Sequence, residues 1–397
     1  MPRSTTKTKK SASGAGNIRK KTVTKNGKPY TYWEARFTAG YDPGTGKQIQ
    51  RSITGKTQKE VAQKLREATT EIDQGTYQQP SKMTVGEWLD VWTTEFLTSV
   101  KPRTLDSYKS TVKTHIKPAI GHIRLDTLDA LTVQRFYNRV GQTHSAKTVK
   151  NIHGVLHKAL QQAVSGKLIR SNPTAGCSLP KVEKPQIQPL TEKQISAFLS
   201  AIKGHRFEKV YIVTLFTGMR EGEVLGLTWD CVNLDTGAIL INKQLQRERG
   251  GNGAYNLVPT KNGKGRMITA APSVVAILKS VRAQQQKWER ESKNAWRNPM
   301  NLVFTDALGR NFSAQTVYLH FKKIAAQIGA PAARFHDLRH SYAVAAIRSG
   351  ADIKSVQGNL GHATASFTLD VYAHFTEDMR QDSAARMEKF IQAVSAG

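Results

Sequence analysis

Two proline-bearing stretches without hydrophobic periodicity, residues 78–82 and 171–190, cut the chain into segments whose apolar patterns differ in kind. Before the first, Trp33, Ala35 and Phe37 alternate with Glu34 and Arg36, the turn signal Asp42-Pro43-Gly44-Thr45-Gly46 follows, and Ile49, Arg51 and Ile53 resume the alternation. That period of two predicts a β-hairpin, with a third strand over Ile18 to Val23. After Gly55 the period lengthens: Val61, Leu65, Ala68 and Ile72 fall on one face of a helix that Gly75 stops. One core cannot serve patterns separated in this way, and 397 residues are more than a single compact unit usually holds.

Between the two breaks the pattern is helical. Val85, Trp88, Leu89, Trp92 and Phe96 mark one amphipathic helix, and others are expected over Thr104 to His115, Thr132 to Val140 and Ser145 to Ser165. The last opens on an N-cap serine and places Val149, Ile152, Leu156, Leu160 and Ala163 inside. The second break, with Asn172-Pro173, Pro180, Pro185 and Pro189, reads as an extended connector. Beyond Leu190, Thr191-Glu192-Lys193-Gln194 has the form of a capping box and opens a mainly helical region, interrupted by strands near Gly237 to Leu245 and Arg266 to Thr269. The expected fold is a multidomain α+β chain. It comprises a basic tail over 1–16, a small three-stranded sheet plus helix over 17–77, an all-α unit over 83–170, the connector 171–190, and a mainly α unit with a small antiparallel sheet over 191–397.

Lysine and arginine number 59 against 30 acids, a net charge of +29. Such an excess repels itself in a compact chain and is matched to a polyanionic partner, nucleic acid before an anionic membrane surface. Residues 1–28 hold nine Lys or Arg and no acid, and their first dozen are expected to form a solvated tail. In the helical unit, Lys147, Lys150, His153, His157 and Lys158 lie on exposed faces beside Lys101, Arg103, Lys109 and Lys113, which suits a solvated or a DNA-facing surface equally. No run approaches the roughly 18 to 20 apolar residues of a membrane span, and Met1 to Lys10 lack a secretory apolar segment, so a cytoplasmic protein is expected. Cys177 and Cys231 stand apart with no Cys/His cluster, against a disulfide framework or a zinc site.

A scattered set of polar residues occupies the C-terminal unit. Arg220 lies in Thr217-Gly218-Met219-Arg220-Glu221-Gly222-Glu223, between apolar segments that hold its backbone while the guanidinium projects, and Glu223 at i+3 can orient it. His336 and Arg339, spaced i, i+3 in Phe335-His336-Asp337-Leu338-Arg339-His340, share a helix face, with His340 one turn on as a buttress. Leu360-Gly361-His362 ends a short helix at a glycine that permits a turn, and Tyr372 follows in Asp370-Val371-Tyr372-Ala373-His374. Lys261 and Lys264 share a turn-prone segment read as a hairpin tip. Singly, each has an ordinary reading: an internal ion pair, a satisfied histidine, a solvated lysine. Together they can cut and rejoin a phosphodiester without a metal. Guanidinium groups hold the phosphate, cations and a base activate a tyrosine whose pKa is ordinarily about 10, and lysine and histidine move protons.

Taken in order, these boxes resemble the active-site boxes of the tyrosine recombinase (phage integrase) family. The resemblance extends over the whole chain: residues 17–77 look like the arm-type-site binding domain of phage and conjugative-transposon integrases, and residues 83–170 like their core-binding domain. It implies site-specific strand exchange of a mobile element through a 3′-phosphotyrosyl intermediate, with no metal, nucleotide or other cofactor. Arg220 and Arg339 would clamp the non-bridging oxygens, supported by Glu223, and Tyr372 would attack. Lys261 would protonate the 5′-oxygen, with Lys264 as its rival, while His336 would assist proton transfer and His362 would hydrogen-bond the phosphate. The implied partners are double-stranded DNA at core and arm-type sites, further copies in a tetrameric synapse that passes through a Holliday junction, and a DNA-bending or excision accessory protein. The helical and catalytic units would clamp opposite faces of the duplex, and a helix over Glu377 to Val394 would pack in cis or on a neighbouring copy.

Two other readings remain: a DNA-binding protein without catalysis, and a type IB topoisomerase-like enzyme, which a separate arm-like domain disfavours. The charge excess yields a first prediction. The logarithm of affinity for attachment-site DNA should fall linearly with the logarithm of salt, by about 0.9 per phosphate contacted. Titrations across a tenfold range of salt check this, and a flat response contradicts it.

Overall fold

The computed structural model describes residues 17–25, 27–41, 44–74, 77, 82–183, 188–248, 253–260, 263–361, 384, 387–388 and 391–395. It divides at 183/184 into two compact units.

The first unit opens with strands β1 (Asn17–Lys25), β2 (Lys28–Tyr41) and β3 (Gln48–Gly55), an antiparallel sheet in the order β1-β2-β3. Ala35 and Phe37 point inward as expected, against Val61, Leu65 and Ala68 of helix α1 (Gln58–Asp73), which Thr57 caps by accepting from the Glu60 N–H at 3.2 Å. Glu34, expected to face out, is instead 6% exposed, because Arg19 covers it in an ion pair at 2.7 Å.

A second core is all helical. Helix α2 (Val85–Val91) starts at a reciprocal Thr84–Glu87 capping box and widens into a π-turn over Trp92–Phe96. Helix α3 (Pro102–Thr111) passes through a second π-turn, Val112–Ile116, into α4 (Lys117–Ile120). Helices α5 (Ala130–Thr143) and α6 (Ala146–Ser165) complete it, and Ser145 caps α6 as expected. Trp88, Leu89, Trp92, Ile116, Phe136, Ile152, Leu156 and Leu160 interlock, and the Trp88 indole N–H donates to the Ala159 carbonyl at 2.8 Å. Phe96 departs from expectation at 45% exposure, because the π-turn adds a residue to the turn and rotates it off the apolar stripe. The histidines expected on the outer face are also half-buried. The Tyr137 hydroxyl bonds His153, and His157 bonds Thr174, so residues 172–174 of the anticipated connector pack onto the helices.

The second unit begins with α7 (Glu192–Ala201), behind the predicted Thr191–Gln194 capping box, then α8 (Glu208–Thr217) and α9 (Glu221–Leu225). Strands β4 (Ala238–Ile241), β5 (Lys243–Arg247), β6 (Tyr255–Pro259) and β7 (Arg266–Thr269) follow, then α10 (Pro272–Ser292), α11 (Ala314–Gln327), α12 (Phe335–Arg348) and α13 (Ile353–Leu360). Phe198, Tyr211, Phe321 and Phe335 centre its core. Strand β5 pairs with β6, and β4 with β7. Lys264 therefore lies in an interruption between β6 and β7, on the returning side of this antiparallel excursion, while Lys261, also expected at the tip, lies outside the described residues. Gly263, at φ +70°, and the Thr260 hydroxyl, donating to the Lys264 carbonyl at 2.9 Å, fold this interruption locally.

Among the described residues no helix is long and apolar enough to cross a membrane. Cys177 and Cys231 are free thiols. The tail 1–16, the stop at Gly75, the linker over 78–81 and most of the helix expected over Glu377 to Val394 lie outside the described residues, although 391–395 are helical.

Leu156 is fully buried whereas Leu131 is 58% exposed. Leu156→Ala should cost about 2–5 kcal/mol in urea unfolding of the first unit, and Leu131→Ala no more than about 0.5 kcal/mol. Equal effects would contradict this core.

Candidate active site

The site is built where α8 gives way to α9. Helix α8 ends at Gly218, whose φ of +66° suits glycine, and an added Cβ would stand 2.4 Å from a Tyr342 ring carbon. The chain therefore turns sharply and delivers Arg220 to the N-cap of α9. There Glu223 reaches back to accept from the Arg220 backbone N–H at 2.9 Å and from its Nη1 at 2.7 Å. Arg220 keeps 29% of its side chain exposed, while Glu223 keeps 2%.

Helix α12 brings the second arginine. Its first turn is pinned by the buried Asp337, which accepts from the Arg334 N–H at 2.7 Å and pairs with the Arg334 guanidinium at 2.9 Å. The Ser341 hydroxyl donates to the Asp337 carbonyl and accepts from the Leu190 N–H. Arg339, 1% exposed, donates from Nη1 to the Gly218 carbonyl at 2.6 Å and from Nη2 to the Leu360 carbonyl. The end of α13 thus receives several arginines: Arg220 Nη2 donates to the Gly361 carbonyl at 3.4 Å, and Arg266 Nε to the Asn359 carbonyl at 2.6 Å. Last-turn carbonyls have no intrahelical partner and carry the negative end of the helix dipole, so they gather cations.

The electrostatics follow from this crowding. Burial raises the Glu223 carboxyl, but hydrogen bonding and charge from Arg266, with Arg220 adding, outweigh it and hold the pKa at about 2. Glu221 is pushed up to about 7 by desolvation, and its buried Oε1 has no hydrogen-bond partner among the described residues. Near neutrality Glu223 is thus ionised between Arg220 and Arg266, while Glu221 is partly protonated. Arg220, Arg266 and Arg339 thus gather at one helix end, an arrangement that suits an anion. His336 has an open edge but sits in dense protein, and desolvation, then the charges of Arg339 and Arg220, lower its pKa to about 4. His340 packs edge-on against it, ring centroids 4.9 Å apart, and is lowered to about 4 by burial and by His336. A neutral imidazole beside two guanidinium groups can accept a proton at physiological pH.

Of the residues singled out in the sequence, Arg220, Glu223, His336 and Arg339 come together here. Lys261, His362 and Tyr372 lie outside the described residues, and Lys264 is exposed on the segment before β7. Sequence reasoning missed Arg266. Its signal was present: Arg266 and Ile268 share one face of β7, so this arginine occupies an inward strand position. Among the described residues no group of His, Cys, Asp and Glu is arranged to hold a metal ion.

Residues 188–379 match the phage integrase family and residues 84–140 match its N-terminal SAM-like domain. The chain is 28% identical over 375 residues to a "Tyrosine recombinase XerC-like" protein of Caldanaerobacter subterraneus subsp. tengcongensis, covering 90% of this chain and 95% of that one. Its fold is similar to that of the Tn1549 transposon integrase in complex with a circular intermediate DNA, with a TM-score of 0.65, 22% identity, and coverage of 77% of this chain and 99% of the other. It is similar also to a lambda integrase in a tetramer bound to a Holliday junction, with a TM-score of 0.55, 19% identity, and coverage of 85% and 92%.

The histidine pKa gives a signed prediction. Unfolded, His336 titrates near 6.5; folded, at about 4. Unfolding below pH 6.5 therefore takes up a proton, and the stability this group supplies is complete above that value and lost as pH falls toward 4. Unfolding measured from pH 7 to 4.5 should show a shallower loss for His336→Gln than for the parent, and parallel curves would contradict the assignment.

Proposed function

The chain belongs to the phage integrase family of tyrosine recombinases, enzymes that cut and rejoin DNA in site-specific recombination of mobile elements, and on that footing we propose how its residues divide the chemistry. The observation that carries the proposal is the convergence of guanidinium groups at the end of α13, where Arg220 and Arg339 donate to neighbouring carbonyls beside a neutral His336. Arg220 and Arg339 hold the non-bridging oxygens of the scissile phosphate and offset the charge that builds up in the transition state. The Tyr372 hydroxyl attacks phosphorus, the new Tyr–O–P bond forms as the P–O5′ bond breaks, and the DNA is left with a 3′-phosphotyrosyl link and a free 5′-hydroxyl. His336 assists removal of the tyrosine proton, His362 hydrogen-bonds the phosphate, and Lys261 or Lys264 supplies the proton that the departing 5′-oxygen takes up. Attack by a 5′-hydroxyl on the phosphotyrosine reverses these steps and rejoins a strand. The linkage keeps the phosphodiester's energy, so no nucleotide is consumed.

The proposed substrate is double-stranded DNA, read at core and arm-type sites. Four copies exchange strands through a Holliday junction, an assembly supported by the similarity to the lambda integrase tetramer. An accessory DNA-bending or excision protein sets direction.

Arg220→Lys tests the clamp, because an ammonium cannot reproduce the guanidinium fork. Single-turnover cleavage of nicked attachment-site DNA should slow by about 100-fold or more, with the melting temperature held and DNA binding changed by less than about threefold. Cleavage at the parental rate would contradict the proposal.

A further inference from the structure

Arg266 makes the strongest bonds in the site without reaching its surface. It takes both oxygens of Glu223, Nη1 to Oε1 at 3.0 Å and Nη2 to Oε2 at 2.6 Å, while its Nε donates to the Asn359 carbonyl. Arg220 takes one Glu223 oxygen with its side chain. The fork-to-fork pair therefore belongs to Arg266, 11% exposed, and the single bond to the arginine that solvent and DNA can reach. Space for this arrangement is made by Gly361, at φ +64°, where an added Cβ would stand 2.9 Å from the Arg266 Cδ.

We propose that Arg266 is a positioning residue for strand cleavage: it neutralises the buried Glu223 carboxylate so that Arg220 keeps its charge for the phosphate. Arg266 also opens β7, directly after the segment that carries Lys261 and Lys264, and its bond to Asn359 ties that strand to the helix end that precedes His362 in sequence. One side chain thus connects α9, which Arg220 caps, with the start of β7 and the last turn of α13. Remove it, and a buried carboxylate is left with Arg220 as its cation, which then closes onto Glu223 in competition with the DNA.

The inference rests on Arg220 as a phosphate ligand, and its signature is rescue. In single-turnover cleavage, Arg266→Gln should be about 100-fold slow with DNA binding within about threefold of the parent. Adding Glu223→Gln removes the uncompensated charge and should restore the rate by about tenfold or more over Arg266→Gln alone. A purely structural Arg266 predicts the opposite, since the double change deletes more of the network. A double variant as slow as Arg266→Gln, or Arg266→Gln at the parental rate, overturns the proposal. If the melting temperature shows that Arg266→Gln does not stay folded, Arg266→Lys carries the test: it keeps the cation and should cleave within about tenfold of the parent, whereas a rate as low as that of Arg220→Lys overturns the role. Arg220→Lys in the same assay separates the two levels. At the parental rate it removes the premise; slow, beside an unimpaired Arg266→Gln, it leaves the clamp standing and removes only Arg266.

Discussion

The Glu223 carboxylate is 2% exposed and ionised down to about pH 2, and the charged centre of the second unit is arranged around it. A buried charge of this kind is costly unless it is paired and its lone pairs are filled. Glu223 meets both conditions with the backbone N–H and guanidinium of Arg220 and the fork of Arg266. Those bonds in turn fix the N-cap of α9, the start of β7 and, through Arg266, the last turn of α13. Arg339 closes the ring from α12 by donating to the carbonyls of Gly218 and Leu360. Four elements, α9, β7, α12 and α13, are thus held at one point by one anion and three cations.

Guanidinium groups from α9, β7 and α12 converging on one helix end suit an anion. Glu221 is pushed toward protonation near neutral pH, and His336 and His340 are held neutral. The proposed occupant is a phosphodiester, the anion on which the family acts.

How much of this was legible in the sequence depended on the range of the interaction. The sheet, the capping of α6 and α7 and the helical core were written in periodicity and cap residues, which act within a few positions. The Arg220–Glu223 pair and the shared face of His336 and Arg339 could be read for the same reason, spacings of three along one helix or its cap. What escaped needed long-range geometry. Phe96 turned outward because a π-turn altered the phase of its helix, and Lys264 left the hairpin tip because β5 pairs with β6 while β4 pairs with β7. Arg266 escaped because its partners, Glu223 and Asn359, lie 43 and 93 positions away.

The central claim is that this pocket presents a phosphate to the Tyr372 hydroxyl. The most direct measurement incubates the protein with nicked suicide substrate from an attachment site, isolates the SDS-resistant adduct, and identifies the DNA-linked peptide by mass spectrometry. The account predicts a nucleotide 3′-phosphate on the Tyr372 side chain. A linkage on any other residue, or cleavage that leaves no covalent adduct, would contradict it.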